Sequence, residues 1–334
     1  MEIDEIITLD YGSGGKKTSR LIEDCIVPAR ANPMLSELGD GAILPGGEQL
    51  VFSTDSFVVS PRFFPGGDIG KLAVCGTVND LAMCGGEPKY LSCSLILEEG
   101  LPAEELEKIV ASMAAAAKKA GVQIVTGDTK VVEKGRGDGI YINTAGIGVL
   151  RWPGLSPRAI RPGDAVLVSG TVGDHGTAVM LARNDLARGD IASDCAALNG
   201  LAAALLTAVP QTRVLRDPTR GGVATTLNEF VEGRPLGIEL EGKAVPVRPA
   251  VQAACELLGL DPLYCANEGK LLAVVPEEKT EEALKALRAL PEGENAARIG
   301  TVTGDYPGKL VMKTPLGGRR VLQKLTGAQL PRIC

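Results

Sequence analysis

Cys334 is the last residue of the chain, and a thiol on a chain end can swing into a distant site and carry a group there. The thiolate is the nucleophile. Its own α-carboxylate disfavours that form, while Arg332 two residues earlier favours it. A lipidation signal of the C-a-a-X kind needs three residues after the cysteine, and none follow; a frayed end without a role is the remaining alternative. Five acids form a second set. Asp40 sits in Leu38-Gly39-Asp40-Gly41-Ala42, Asp55 between Thr54 and Ser56 in an apolar stretch, and Asp80 after Asn79 in a small-residue stretch. Asp128 lies in Gly127-Asp128-Thr129-Lys130 and Asp217 in Asp217-Pro218-Thr219-Arg220-Gly221-Gly222. An acid embedded in apolar sequence is costly unless it is paired or binds a cation. Magnesium takes oxygen ligands and bridges carboxylates to nucleotide phosphates. Each acid alone fits a cap or a turn equally well; the set together points to a nucleotide–metal site.

Gly12-Ser13-Gly14-Gly15 followed by Lys16 and Lys17 could cradle a phosphate, because successive backbone N–H groups and a helix N-terminus both attract anions. The spacing is neither G-x-x-x-x-G-K-[ST] nor G-x-G-x-x-G, and a plain terminal loop fits it as well. His175, the single histidine, opens a helical stretch, where a structural hydrogen bond is the commoner role and catalysis the rarer one. The other seven of the eight cysteines have no C-x-x-C spacing and read as small buried hydrophobes in a reducing compartment.

The elements that must hold these residues fall into two α/β (α+β) halves. Strand patterns at 49–59, 90–97, 122–125 and 139–149 alternate with helical patterns at 70–83 and 102–120. The latter opens with Pro, carries acids first and lysines last, and stops at Gly121. A Pro- and Gly-rich linker runs from Trp152 to Gly163. Strands at 164–169, 236–240, 270–275 and 297–303, with helices at 176–183, 195–208, 222–231 and 280–290, make the second half. The last twenty residues, if extended, span roughly 60 Å, and Pro331 predicts an extended end. A net charge of −6 without a basic run argues against nucleic-acid or anionic-membrane partners. No apolar run reaches membrane-span length, and the N-terminus lacks the basic and apolar regions of a secretory signal, so a cytoplasmic location is expected.

Taken together, GSGG (Gly12–Gly15), GDGA (Gly39–Ala42), STDSF (Ser53–Phe57), VNDLAMCG (Val78–Gly85), GDTKVV (Gly127–Val132), SGTVGDHG (Ser169–Gly176), DPTRGGVA (Asp217–Ala224), ANEGK (Ala266–Lys270) and PRIC (Pro331–Cys334) span the whole chain. In this set it resembles the HypE family of hydrogenase maturation proteins, within the superfamily of aminoimidazole ribonucleotide synthetase, selenophosphate synthetase and thiamine monophosphate kinase. ANEGK and the terminal PRIC single out the HypE family. The chain departs from the family at Tyr11, where His commonly precedes the glycine loop.

The resemblance implies a two-domain fold. A glycine-loop segment (1–35) precedes an ATP-binding and dimerising domain (36–152) whose sheet joins a second copy's into a sheet or barrel. A C-terminal domain (160–310) and a flexible tail (311–334) follow. It implies that HypF loads a carbamoyl group onto Cys334, that the chain dehydrates it with ATP and Mg2+ to a thiocyanate, and that cyanide passes to iron on a HypC–HypD complex for [NiFe]-hydrogenase. Under that reading Glu268 is the candidate base, either for the Cys334 thiol or for the amide N–H, and Lys130 the candidate to stabilise negative charge on oxygen or phosphate, with His175 a further catalytic candidate. Asp40, Asp80 and Asp217 are the first candidates for magnesium. Gly12, Ser13, Gly14, Gly15, Asp55, Asn79, Asp128 and Thr129 are candidates to bind the nucleotide. Two rivals stay open. Another superfamily synthetase has no use for a terminal thiol, and a selenophosphate synthetase would carry a reactive residue at the glycine loop. A non-catalytic thiol carrier has no use for five embedded acids.

Overall fold

The computed structural model describes Gly15, Lys16, Ser19 and residues 42–46, 48–186, 191–314, 317–327, 330 and 332–334. Tyr11, Gly12, Ser13, Gly14, Cys25, Asp40 and Pro331 lie outside the described residues.

The first half runs β1 (Ala42–Gly46), β2 (Glu48–Phe57), the short β3 (Phe63–Phe64) and β4 (Gly67–Asp68), α1 (Ile69–Met83), β5 (Gly86–Glu98), α2 (Ala103–Ala120), β6 (Gln123–Val132) and β7 (Ile140–Leu150). The five long strands form one sheet in the order β1-β2-β7-β5-β6, antiparallel except for the parallel pair β5–β6. In β2 the inward row Val51, Ser53 and Phe57 is buried while Phe52, Thr54 and Ser56 are exposed, the period-two pattern of a strand with one face packed. That face receives α1, which is buried on nearly every side. Small residues make the approach possible: a Cβ on Gly76 would stand 2.9 Å from the Phe57 ring. Asp68 caps α1 by accepting the N–H groups of Gly70 and Lys71.

The second half adds β8 (Ala165–Val168), α3 (Asp174–Arg183), α4 (Asn199–Ala208), β9 (Val214–Arg216), α5 (Gly222–Val231), β10 (Gly237–Glu241), α6 (Pro249–Leu258), β11 (Leu272–Val275), α7 (Thr280–Arg288), β12 (Ala297–Thr303), β13 (Leu310–Lys313) and β14 (Arg319–Leu322). Its seven strands order as β14-β13-β10-β12-β8-β11-β9. Every residue of β8 and β11 is buried because both sheet faces are covered. Val166, Val168, Leu272 and Val274 pack with α5, and Ala165, Leu167, Ala273 and Val275 with α4 and α7. Two covered faces demand a continuous apolar run, which is what these strands carry.

Three local expectations differ from the structure. β6 continues to Val132, so Asp128, Thr129 and Lys130 sit inside a strand and not in a turn after one. The helix expected from 195 begins only at Asn199, because Ala196 N–H donates to the Glu268 carbonyl and Leu198 N–H to Asn79 Oδ1, outside any helical ladder. The chain beyond 310 first folds into β13 and β14, leaving the sheet only after Leu322. Near its end it turns: Arg332 has φ +52, a left-handed conformation and not an extended one.

Candidate active site

The tail ends in a cleft between the halves. Val58 N–H donates to a Cys334 α-carboxylate oxygen at 3.0 Å, and Ser60 N–H to the Arg332 carbonyl at 3.2 Å. Arg332 returns the contact through Nε to the Val58 carbonyl at 3.0 Å, and its guanidinium pairs with Asp138. Arg183, from α3, donates to the carbonyls of both Ser60 (2.6 Å) and Arg332 (2.7 Å). Ile333 is buried among Phe57, Val59, Phe64, Val179 and Ala266, residues from both halves. One apolar side chain and a row of backbone bonds thus fix the tail in register, leaving Cys334 next to the acids.

Those acids come from separate elements. Asp55 lies on the inward row of β2. Asp80, on α1, accepts a hydrogen bond from Ser53 of β2 at 2.7 Å. Buried Asp217 follows β9. Glu268 stands before β11 and is 1% exposed. Arg220 is carried into the group by the turn at Gly221 and Gly222, whose φ values of +78 and +61 favour glycine. A Cβ on Gly222 would also lie 2.5 Å from the Leu263 carbonyl. Arg220 and Ile333 line a small enclosed space with Tyr264, Ala266, Leu325 and Leu330. The end of the glycine loop reaches the same region: Gly15 is buried and Lys16 N–H donates to the Leu325 carbonyl at 2.8 Å.

Charges in this space act on one another. Burial, and then the negative charges of Asp217, Asp55 and Asp194, push the Glu268 carboxyl well above the usual carboxylate range; Arg220 opposes them. Burial and Glu268 likewise push the Cys334 thiol up, again against Arg220. Burial raises Asp55, with Arg220 the opposing charge. Arg220 itself is held up by Cys334, Asp55, Glu268 and Asp80. The cleft therefore favours a protonated docked thiol beside a carboxyl with raised proton affinity.

Other expected site residues take different positions. His175 is buried on α3, its Nε2 2.8 Å from the Ile333 carbonyl and its Nδ1 2.8 Å from Ser193 Oγ. Asn79 is buried and bridges backbone: its Nδ2 donates to the Ala196 carbonyl at 3.1 Å and its Oδ1 accepts Leu198 N–H. Asp128, Thr129 and Lys130 lie on exposed β6, where Lys130 Nζ pairs with Asp128 at 2.6 Å. The structure thus gathers Cys334, Glu268, Asp55, Asp80 and Asp217, and sets Asp128, Thr129 and Lys130 on an outer strand. Arg220 was not singled out from sequence. Its signal is a lone cation between an Asp-Pro turn and a Gly-Gly helix start, the same run that supplies Asp217.

Carboxylate oxygens suit magnesium, which keeps several waters and needs only one or two protein carboxylates beside phosphate. Asp55, Asp80 and Asp217 supply that chemistry, although no three His, Cys, Asp or Glu side chains among the described residues are already gathered as a complete metal cage. No helix among the described residues is long and apolar enough to cross a membrane.

A glycine-led segment and two mixed domains around an acidic cleft define the class. Residues 38–150 match the family model for AIR synthase related protein, N-terminal domain, and residues 161–313 that for AIR synthase related protein, C-terminal domain. The Carbamoyl dehydratase HypE of Azotobacter vinelandii is 54% identical over 333 residues, 98% of this chain and 97% of that protein. A solved HypE–HypF complex superposes with a TM-score of 0.86 at 48% identity, covering 91% of this chain and 99% of that one. A HypE solved in complex with ATP gives 0.83 at 52% identity, covering 98% of this chain and 100% of that one. The chain belongs to the HypE family of carbamoyl dehydratases.

Proposed function

We propose that this chain uses ATP to dehydrate an S-carbamoyl group on Cys334 to a thiocyanate, the source of the cyanide ligand on the iron of [NiFe]-hydrogenase. The observation that carries the reading is Cys334 docked in the cleft in the electrostatic field of Glu268 and Arg220.

Loss of water from a primary amide requires a better leaving group than hydroxide and the removal of two N–H protons. The carbamoyl oxygen attacks the γ-phosphorus of ATP, the bond to the bridging oxygen breaks and ADP departs. The C–O bond then breaks with phosphate as the leaving group. Of the two N–H protons, one passes to Glu268 and one to the departing phosphate, leaving S–C≡N. A carboxylate of ordinary pKa is a weak base; the burial that raises Glu268 strengthens it for this step. Arg220 supplies positive charge near the developing negative oxygen. Asp80 and Asp217, with Asp55 beside them and Asp40 from outside the described residues, would hold Mg2+, which supplies charge neutralisation of the phosphates. Gly12–Gly15 with Asp55, Asp128 and Thr129 serve nucleotide binding and Lys130 meets phosphate charge, while Asn79, buried with both amide ends on backbone, braces α1 against the second half.

The docked Cys334 is half-buried and its thiol is pushed toward the protonated form, which favours loading with the tail out of the cleft. HypF, the partner in the matched complex, would load it there with carbamoyl, and a HypC–HypD complex would receive the cyanide. A second copy would cover β6, whose outer edge no described strand pairs. Val125 and Val131 on it are 57% and 66% exposed, and an open apolar edge is a liability unless covered. Among the described residues Cys75, Cys93, Cys195, Cys255, Cys265 and Cys334 form no disulfide, which supports a reducing cytoplasm.

The test is the mass of the C-terminal peptide after incubation with HypF, carbamoyl phosphate and Mg·ATP, with Cys334→Ala as control. The reading expects a carbamoyl gain on Cys334 followed by loss of one water when ATP is present. ATP turnover with Cys334 unmodified would reject it.

A further inference from the structure

Ser193 and Asp194 are adjacent in the irregular segment before α4, yet they hold two different halves of the site. Ser193 works through His175. The Ile333 carbonyl can only accept, so His175 Nε2 carries the proton and donates to it at 2.8 Å. Neutral His175 then accepts at Nδ1 from the Ser193 hydroxyl, 2.8 Å away, while Ser193 Oγ accepts Cys195 N–H at 3.0 Å. Burial keeps this imidazole neutral, and Phe64 packs edge-on against its ring at 5.4 Å. The chain Cys195–Ser193–His175–Ile333 runs in one direction and ends on the residue bonded to Cys334.

Asp194 works on Glu268. Its Oδ1 accepts Glu268 N–H at 3.1 Å, and its Oδ2 lies 3.5 Å from Lys270 Nζ. The segment also donates Ala196 N–H to the Glu268 carbonyl at 3.3 Å. The fit is close enough that a Cβ on Gly269 would fall 1.8 Å from the Asp194 carbonyl. Pro65 anchors the whole from the first half, accepting Ser193 N–H at 2.7 Å. Glu268 Oε1 meanwhile is buried with no hydrogen-bond partner among the described residues. Its backbone is held from both sides and its reactive oxygen is left open.

We propose that Ser193, His175 and Asp194 are positioning residues that register the Cys334-bound group against Glu268 in the docked state. They act in dehydration and not in loading of the thiol. None of them touches the reacting atoms. The inference rests on the dehydratase reading above.

The test separates the two steps by mass, following first the carbamoyl gain on Cys334 and then its loss of water, in the full chain with HypF, carbamoyl phosphate and Mg·ATP. His175→Phe keeps ring volume and removes the donor; His175→Gln restores one. Loading at the wild-type rate is expected in both. Dehydration should slow about 100-fold in His175→Phe, the cost of a misplacement of about 1 Å, and recover by about tenfold in His175→Gln. Asp194→Ala should slow dehydration similarly and Asp194→Asn, which keeps the acceptor for Glu268 N–H, should recover it. Melting temperatures identify a variant that fails to fold, and the other pair then decides. Dehydration at the wild-type rate in His175→Phe and Asp194→Ala overturns the proposal, as does an equal loss of loading and dehydration. If the wild-type chain itself loads but never loses water, the dehydratase reading is what fails.

Discussion

The tail cleft and the outer strand β6 carry their polar residues in opposite ways. In the cleft, Glu268 and His175 are buried, their backbone or ring nitrogens are committed, and Cys334 sits in a fixed register. On β6, nine of ten residues are exposed, Lys130 and Asp128 form an exposed ion pair, and a cavity of about 650 Å³ opens between β6 and α2. One region is finished within a single chain. The other leaves charged and apolar side chains open to solvent. Proton chemistry on the carbamoyl group calls for the first kind of site, a dry one with held groups. Phosphoryl binding from a mobile nucleotide tolerates the second.

The largest effect should come from the cleft. Glu268→Gln keeps shape and removes the base; dehydration should fall by about 10²–10⁴ while loading by HypF stays intact, read as carbamoyl peptide that accumulates without losing water. Next is Lys130→Ala on the outer strand, expected to slow the ATP-dependent step by about 10²–10³ without changing loading. Retained dehydration there would show that β6 has no part in the chemistry. Val131→Glu places a charge on the open edge and should convert a dimer to monomer in sedimentation, with little change in melting temperature. A monomeric wild type would remove the reason for the variant.

A smaller effect concerns pH. Arg220 lowers the pKa of Glu268, so Arg220→Met should raise it further. The base must be deprotonated, so the acid limb of the dehydration profile should move to higher pH; movement to lower pH would contradict the electrostatic account. The smallest effect is Arg332→Ala. It removes a half-exposed pair with Asp138, worth about 0–1 kcal/mol, along with the bond to the Val58 carbonyl. Dehydration should slow about fivefold or less.

Much of this was legible in the residues. The alternation in β2 and the caps of α2 give those elements nearly to the residue, and the motif set leads to the family. Asp55, Asp80, Asp217 and Cys334 were legible because each is conspicuous in its local sequence, whereas Glu268 was reached only through the family resemblance of ANEGK. The supports of the cleft were not legible. Ser193 and Asp194 look like an ordinary polar loop, and their importance comes from partners far along the chain at 175 and 268. For His175 the sequence favours a structural hydrogen bond, and the structure supplies its partners, the Ile333 carbonyl and Ser193 Oγ, which the sequence does not name. Asp128 fits a turn after a strand ending at 125 because Gly127-Asp128 is turn chemistry, yet parallel pairing with β5 carries the strand through it. A Cβ on Gly127 would lie 2.1 Å from the Cys93 carbonyl, so the glycine serves close strand approach.

The central claim, that buried Glu268 and docked Cys334 together make a nitrile, is tested most directly by infrared spectroscopy of the chain loaded from ¹³C-labelled carbamoyl phosphate. The account predicts an isotope-shifted nitrile stretch that appears on addition of Mg·ATP in the wild type and is absent in Glu268→Gln, which keeps its carbamoyl band. A nitrile band of equal strength and rate in Glu268→Gln would contradict it.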